Sequence, residues 1–116
     1  MPWMLLIMET GERQTWSPEK KRHAYDRMMR FTDELKSRGV YVTSESLRTA
    51  PGRVRVDARG GKQIVTEGPF TESKEIVGGF VLVDCASRDQ AVTIARECPA
   101  TEWATVEVRE VGPCYE

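Results

Sequence analysis

Thr66-Glu67-Gly68-Pro69-Phe70-Thr71-Glu72-Ser73-Lys74-Glu75 gathers three carboxylates, one ammonium and an aromatic ring around a Gly-Pro hinge, directly before the apolar run Ile76-Val77-Gly78-Gly79-Phe80. A carboxylate at the mouth of a pocket has its proton affinity raised by burial and can act as a base, while Lys74 can neutralise an anionic ligand. The plain alternative is a solvated turn whose charges pair with one another and contribute little. If extended geometry begins at Glu72, then Glu72 and Lys74 share one face. Glu75 then points to the other and needs a partner there, a main-chain amide or an arginine such as Arg53 or Arg55. The ligand-binding candidates are therefore Glu67, Phe70, Glu72, Lys74 and Glu75, with no catalytic residue assigned.

The remaining reactive side chains give weaker signals. His23 is the only histidine, and so the only side chain whose ordinary titration falls near neutrality. At 100° per residue it turns away from Tyr25, Met28 and Met29 toward Arg27, Arg30 and Glu34, which is a solvated helix face. Cys98 falls on an apolar stripe with no histidine placed to activate it, so it reads as a buried inert thiol, and Cys85 after a core strand reads the same way. Cys114 lies near the terminus. Three cysteines without a C-x-x-C pair argue against a disulfide framework or a zinc site, so no metal or cofactor is implied and a reducing, cytoplasmic setting follows. Trp3, Trp16 and Trp103 are explained by core or interface packing.

These residues must be positioned by a small α+β chain. Trp3 to Met8 lacks polar alternation, as expected of a strand covered on both faces. Ser17-Pro18-Glu19 supplies an N-cap hydroxyl, a proline and a first-turn acid. The helix it starts carries a core stripe of Tyr25, Met28, Met29, Thr32 and Leu35 and stops at Gly39. A strand follows at Val40-Tyr41-Val42. Arg53 to Asp57 alternates charged and apolar residues, and Gly60-Gly61 turns it into Gln63 to Thr66, a hairpin with one wet face. Ile76 to Val83 is a second wholly apolar strand, in which Gly78-Gly79 call for a bulge or a close backbone approach. Ser87 and Gln90 have capping-box spacing, with Ala91, Ile94, Ala95 and Cys98 as the buried stripe and Pro99 as the stop. Ala104 to Val111 is the last strand. The order is the split βαβ plan of a ferredoxin-like fold with an inserted β-hairpin, an antiparallel sheet covered by two helices. Two strands apolar on both faces call for a second copy packed against the open sheet face.

Glu67-Gly68-Pro69-Phe70, followed by Glu72-Ser73-Lys74-Glu75, resembles the Asp-Gly-Pro-Phe and Glu-Thr-Lys-Glu motif of the YCII-related or DGPF-domain proteins, with Glu67 for Asp and Ser73 for Thr. Glu45-Ser46-Leu47 resembles the family's Glu-x-Leu, and the resemblance spans nearly the whole chain. It implies a single domain over residues 1–116, a dimeric α+β barrel, and a small-molecule-binding role with lyase or hydrolase-type acid–base chemistry. Relatives found beside or fused to alternative sigma factors imply the alternative, a non-catalytic regulatory or interaction partner. Some members resemble enzymes thought to use a helix histidine and an Asp-Pro aspartate. Here the latter position reads Cys98-Pro99, and His23 lies more than a turn too early relative to Gly39.

At 116 residues the chain buries a modest core and gains from association. Its net charge of −1, from 17 basic and 18 acidic residues, gives no field that would attract nucleic acid. The N-terminal apolar run is too short to span a bilayer. The expected partners are a small-molecule ligand and a second copy, with no nucleic acid and no membrane.

Overall fold

The computed structural model describes residues 1–48, 52–68, 70 and 74–115. Strands β1 (Pro2–Glu9), β2 (Tyr41–Ser46), β5 (Ile76–Asp84) and β6 (Thr105–Glu110) form an antiparallel sheet of order β2-β5-β1-β6, and β3 (Val54–Asp57) pairs with β4 (Ile64–Glu67) as a separate hairpin. Helices α1 (Pro18–Ser37) and α2 (Arg88–Glu97) supply the crossovers. With the hairpin set aside, this is the ferredoxin-like α+β fold.

The helices begin and end where local chemistry requires. Ser17 accepts from the Lys20 N–H and Ser87 from the Gln90 N–H, each satisfying an orphan donor of a first turn. The Gln90 side chain reaches back to the Ala86 N–H, one residue ahead of the cap. At the far end of α1, Gly39 takes φ +76°, and the Gly39 and Val40 amides bond back to Lys36 and Leu35, the paired bonds of a Schellman cap.

The core lies between helices and sheet. Leu5, Val81 and Val83 on the sheet meet Phe31 and Leu35 of α1 and Ala91 and Ile94 of α2, all nearly or completely buried. The α1 stripe differs from the sequence expectation at two of its five positions, since Tyr25 and Met29 are 57% and 40% exposed, while Phe31 takes a core place. Tyr25 and Met29 stay accessible because both line the open space between the N-terminal half of α1 and the sheet.

On the opposite sheet face, Met4 pairs with Leu82 and Leu6 with Phe80, and all four remain half-buried. The hairpin is wet on both sides rather than on one, with Val54, Val56, Ile64 and Val65 between 53% and 63% exposed. The Cα radius of gyration of 16.1 Å exceeds the roughly 13 Å of a compact chain this long, as a projecting hairpin requires.

Candidate functional site

The space under the N-terminal half of α1 is a cleft of about 750 Å³, a size suited to a small organic molecule. Ile7 and Val81 of the sheet, Met28 and Met29 of α1, and Trp16 and Trp103 contribute aliphatic and aromatic wall. The two indoles meet edge to face at 5.6 Å and 84°, and Lys20 Nζ lies 4.4 Å over the Trp16 ring. Trp16 is 9% exposed, and its Nε1 is buried without a hydrogen-bond partner among the described residues.

The polar centre of the cleft is Glu9, which ends β1 and is 4% exposed. Gly11, at φ +90°, swings the chain into a 3₁₀ turn over Glu12–Thr15 that brings Arg13 back over Glu9. The Arg13 Nε and Nη2 groups contact Glu9 Oε1 at 2.7 and 2.6 Å. Nη1 donates to Ser46 Oγ at 3.2 Å, and Nη2 to Leu47 O at 2.9 Å and Gly78 O at 3.3 Å. One guanidinium thus ties the ends of β1, β2 and β5 together. A carboxylate taken so far out of water is tolerated only because of this pairing.

The Gly78-Gly79 pair makes room for that arrangement. A Cβ on Gly78 would stand 2.3 Å from the Glu9 carboxyl carbon, and one on Gly79 would stand 2.9 Å from the Glu45 carbonyl. The β1–β5 register shifts between Ile7 and Met8, opposite these glycines, so both the bulge and the close approach expected from the sequence are present.

The sequence-selected residues lie elsewhere. Glu67, Lys74 and Glu75 are exposed and Phe70 is half-buried, none of the four lines the cleft, and Glu72 lies outside the described residues. Phe70 sits beneath two guanidinium groups, Arg55 at 3.7 Å and Arg53 at 5.0 Å from its centroid. Glu75 has no hydrogen bond or ion pair among the described residues. Its exposure removes the desolvation that would have demanded a partner. The link from motif to cleft runs along the chain, since Ile76, next to Glu75, is the register partner of Glu9.

His23 is exposed, as its helical phase requires. The hydrogen bond from Arg27 holds the nearby Glu102 carboxyl below its ordinary range, with His23 a minor contributor. Cys98 is 1% exposed at the C-terminal cap of α2, with Sγ 3.9 Å from the Met28 sulfur, and burial raises its thiol pKa, which keeps it un-ionised and unreactive. Among the described residues, no group of three or more His, Cys, Asp or Glu side chains converges as a metal site would require. No helix among them is long and apolar enough to cross a membrane.

Sequence reasoning passed over Glu9 and Arg13. A signal was present. A carboxylate abutting a core strand, with a glycine two residues on and an arginine four residues on, marks a buried pair closed by a tight turn.

A four-stranded antiparallel sheet with two helices on one face defines a ferredoxin-like α+β domain. The YCII-related domain family matches residues 1–114, and the chain belongs to that family. An uncharacterized protein of Rhizobium meliloti (strain 1021) is 49% identical over 49 residues, a stretch covering 42% of this chain and 38% of that protein. The chain thus aligns with well under half the length of this relative.

Proposed function

We propose that the chain is a homodimeric small-molecule-binding domain whose ligand occupies the cleft under α1. The observation that carries the reading is the cleft itself, walled by apolar side chains around one buried carboxylate and its guanidinium. Acid–base chemistry of a lyase or hydrolase type would fall to Glu9. Glu45, the other carboxylate lining the cleft among the described residues, is exposed. A thermal-shift screen of the purified protein against metabolites tests the reading, because a ligand bound by the native state alone raises the midpoint. Stabilisation by a compound that also protects the Gly78 and Gly79 amides is expected, and stabilisation without that protection overturns the assignment to this cleft.

The dimer is supported by the half-buried apolar residues on the open sheet face and by the exposed Val54, Val56 and Val65 of the hairpin, a motif too small to be stable in water uncovered. Sedimentation at micromolar concentration should give twice the chain mass, and a monomer overturns it. The same exposed hairpin favours a second reading, a non-catalytic partner of another protein such as an alternative sigma factor. That reading requires a monomer whose hairpin amides become protected only on adding the partner.

A further inference from the structure

We infer that the cleft takes an amphipathic monocarboxylate, its anionic end held at the mouth by Lys21 and Arg48 and its apolar body lying inward against Met28, Val81 and Trp103. This deepens the ligand-cleft reading above and rests on it.

The cleft is polarised along its length. Its mouth is the end of the sheet where β1 and β2 finish and α1 begins. Ile7 and Ser46 both pair with Gly79 there, the Leu47 N–H donates to Gly78 O, and Arg48 follows directly. Lys21, Ala24, Met28 and Thr32 recur at three- and four-residue steps on the face of α1 that lines the cleft. That face runs from an exposed ammonium at the mouth, past half-buried Met28, to Thr32 at 6% exposure. Val81 and Ala100, both almost fully buried, close the inner wall.

The unmatched charge lies at the mouth. Of the charged side chains lining the cleft, Glu9 and Arg13 neutralise each other. Lys21, Arg48 and Glu45 are exposed and have no ion-pair partner among the described residues, which leaves two cations against one carboxylate. The remaining polar groups do not favour one ion over the other. Ser44 shares a hydrogen bond with Tyr41, Ser46 accepts from Arg13, and Thr32 donates to the Met29 carbonyl. Gln14 is neutral and already partnered, and the Tyr25 hydroxyl can donate or accept. An ammonium ligand would therefore meet net repulsion at the mouth, whereas a single anion balances the excess cation. The same anion drawn to the inner wall would lose its water without gaining a free counter-charge, so the head stays at the mouth. The body behind it buries apolar surface against Met28, Val81 and Trp103.

Four probes with one body test this: 3-phenylpropanoate, 3-phenylpropan-1-ol, 3-phenylpropylamine and propylbenzene, each titrated into the full chain at neutral pH while backbone amide resonances are followed. The acid should bind tightest, shift the Gly78 and Gly79 amides, and weaken as salt is added, while the alcohol should not respond to salt. Lys21→Met and Arg48→Met keep an apolar side chain and remove the charge. Each should weaken the acid about threefold, and the two together about tenfold, with the alcohol unchanged. Glu45→Gln should tighten the acid. If the alcohol or the amine binds as tightly as the acid, or if the two charge-removing variants leave the acid unchanged or weaken acid and alcohol equally, the carboxylate assignment fails while the cleft stands. If none of the four probes shifts the cleft amides, both this inference and the ligand-cleft reading fall. Should a variant not fold, the probe ranking and its salt dependence on the unaltered protein decide.

Discussion

Arg13 and Arg59 each hold a carboxylate that is close in sequence, Glu9 in one case and Asp57 in the other, but the two pairs stand in different surroundings. Arg13 reaches into three strand ends over a carboxylate that is 4% exposed, whereas Arg59 is 92% exposed at the tip of the hairpin and, among the described residues, bonds only Asp57. Both are local in sequence. Only the first is desolvated, and desolvation turns a surface pairing into a structural requirement. The hairpin lowers the Asp57 pKa through the Arg59 hydrogen bond, yet water surrounds the pair and little stability follows. The cleft end of the sheet is held by its own chain, and the hairpin leaves Val54, Val56, Ile64 and Val65 exposed.

The largest break in this contrast comes from Arg13→Ala, which strands the Glu9 carboxylate and should destabilise the fold by about 3 kcal/mol in urea denaturation. Arg59→Ala should leave the midpoint where it is. Equal effects of the two would remove the distinction between the regions.

Glycine substitutions sharpen it next. Gly78→Ala drives a methyl into the Glu9 carboxylate and should cost about 2 kcal/mol. Gly61→Ala at the hairpin turn has open space around the new methyl and suffers only its φ of +84°, for about 1 kcal/mol. Thermal melts of both proteins make the comparison.

Cys98→Ala, beside Met28 behind the cleft, should cost about 1 kcal/mol and leave ligand binding unchanged. Burial raises the Cys98 pKa above its ordinary 9.0, so the folded state keeps a proton that the unfolded state loses. Stability from this group is therefore full below pH 9.0 and declines as the pH rises above it, a decline that Cys98→Ala should reduce. Denaturation midpoints between pH 8 and 10.5, roughly spanning the thiol range, would show it.

The smallest expected effects belong to the motif. Lys74→Ala and Glu75→Ala should each change stability by less than about 0.5 kcal/mol, because both side chains are exposed and neither has an ion-pair partner among the described residues. A larger loss for Glu75→Ala in an equilibrium melt would show that it is covered in the assembled protein.

Much of the fold was legible in the chain because its signals are local. Ser17 and Ser87 announce helix starts, Gly39 announces a stop that only a positive φ allows, and the runs at Met4–Ile7 and Val81–Val83 can only be strands of a core. Gly78-Gly79 was also readable as a bulge. The exposure of Tyr25 and Met29 was not, since they satisfy the same spacing as Met28 and Leu35, and periodicity alone cannot say which apolar residues face an open cleft. The motif Glu67 to Glu75 drew attention through its composition, while Glu9 and Arg13 looked like ordinary charges at a strand end.

The sequence by itself determined the elements, their order and the caps that bound them, because each of those follows from interactions within a few residues. Only the tertiary structure decided that Glu9 of β1, Ser46 of β2 and Gly78 of β5 meet on one guanidinium beneath α1. Those contacts include residues 65 positions apart, Arg13 and Gly78, and the chemistry there depends on burial, which no local pattern encodes.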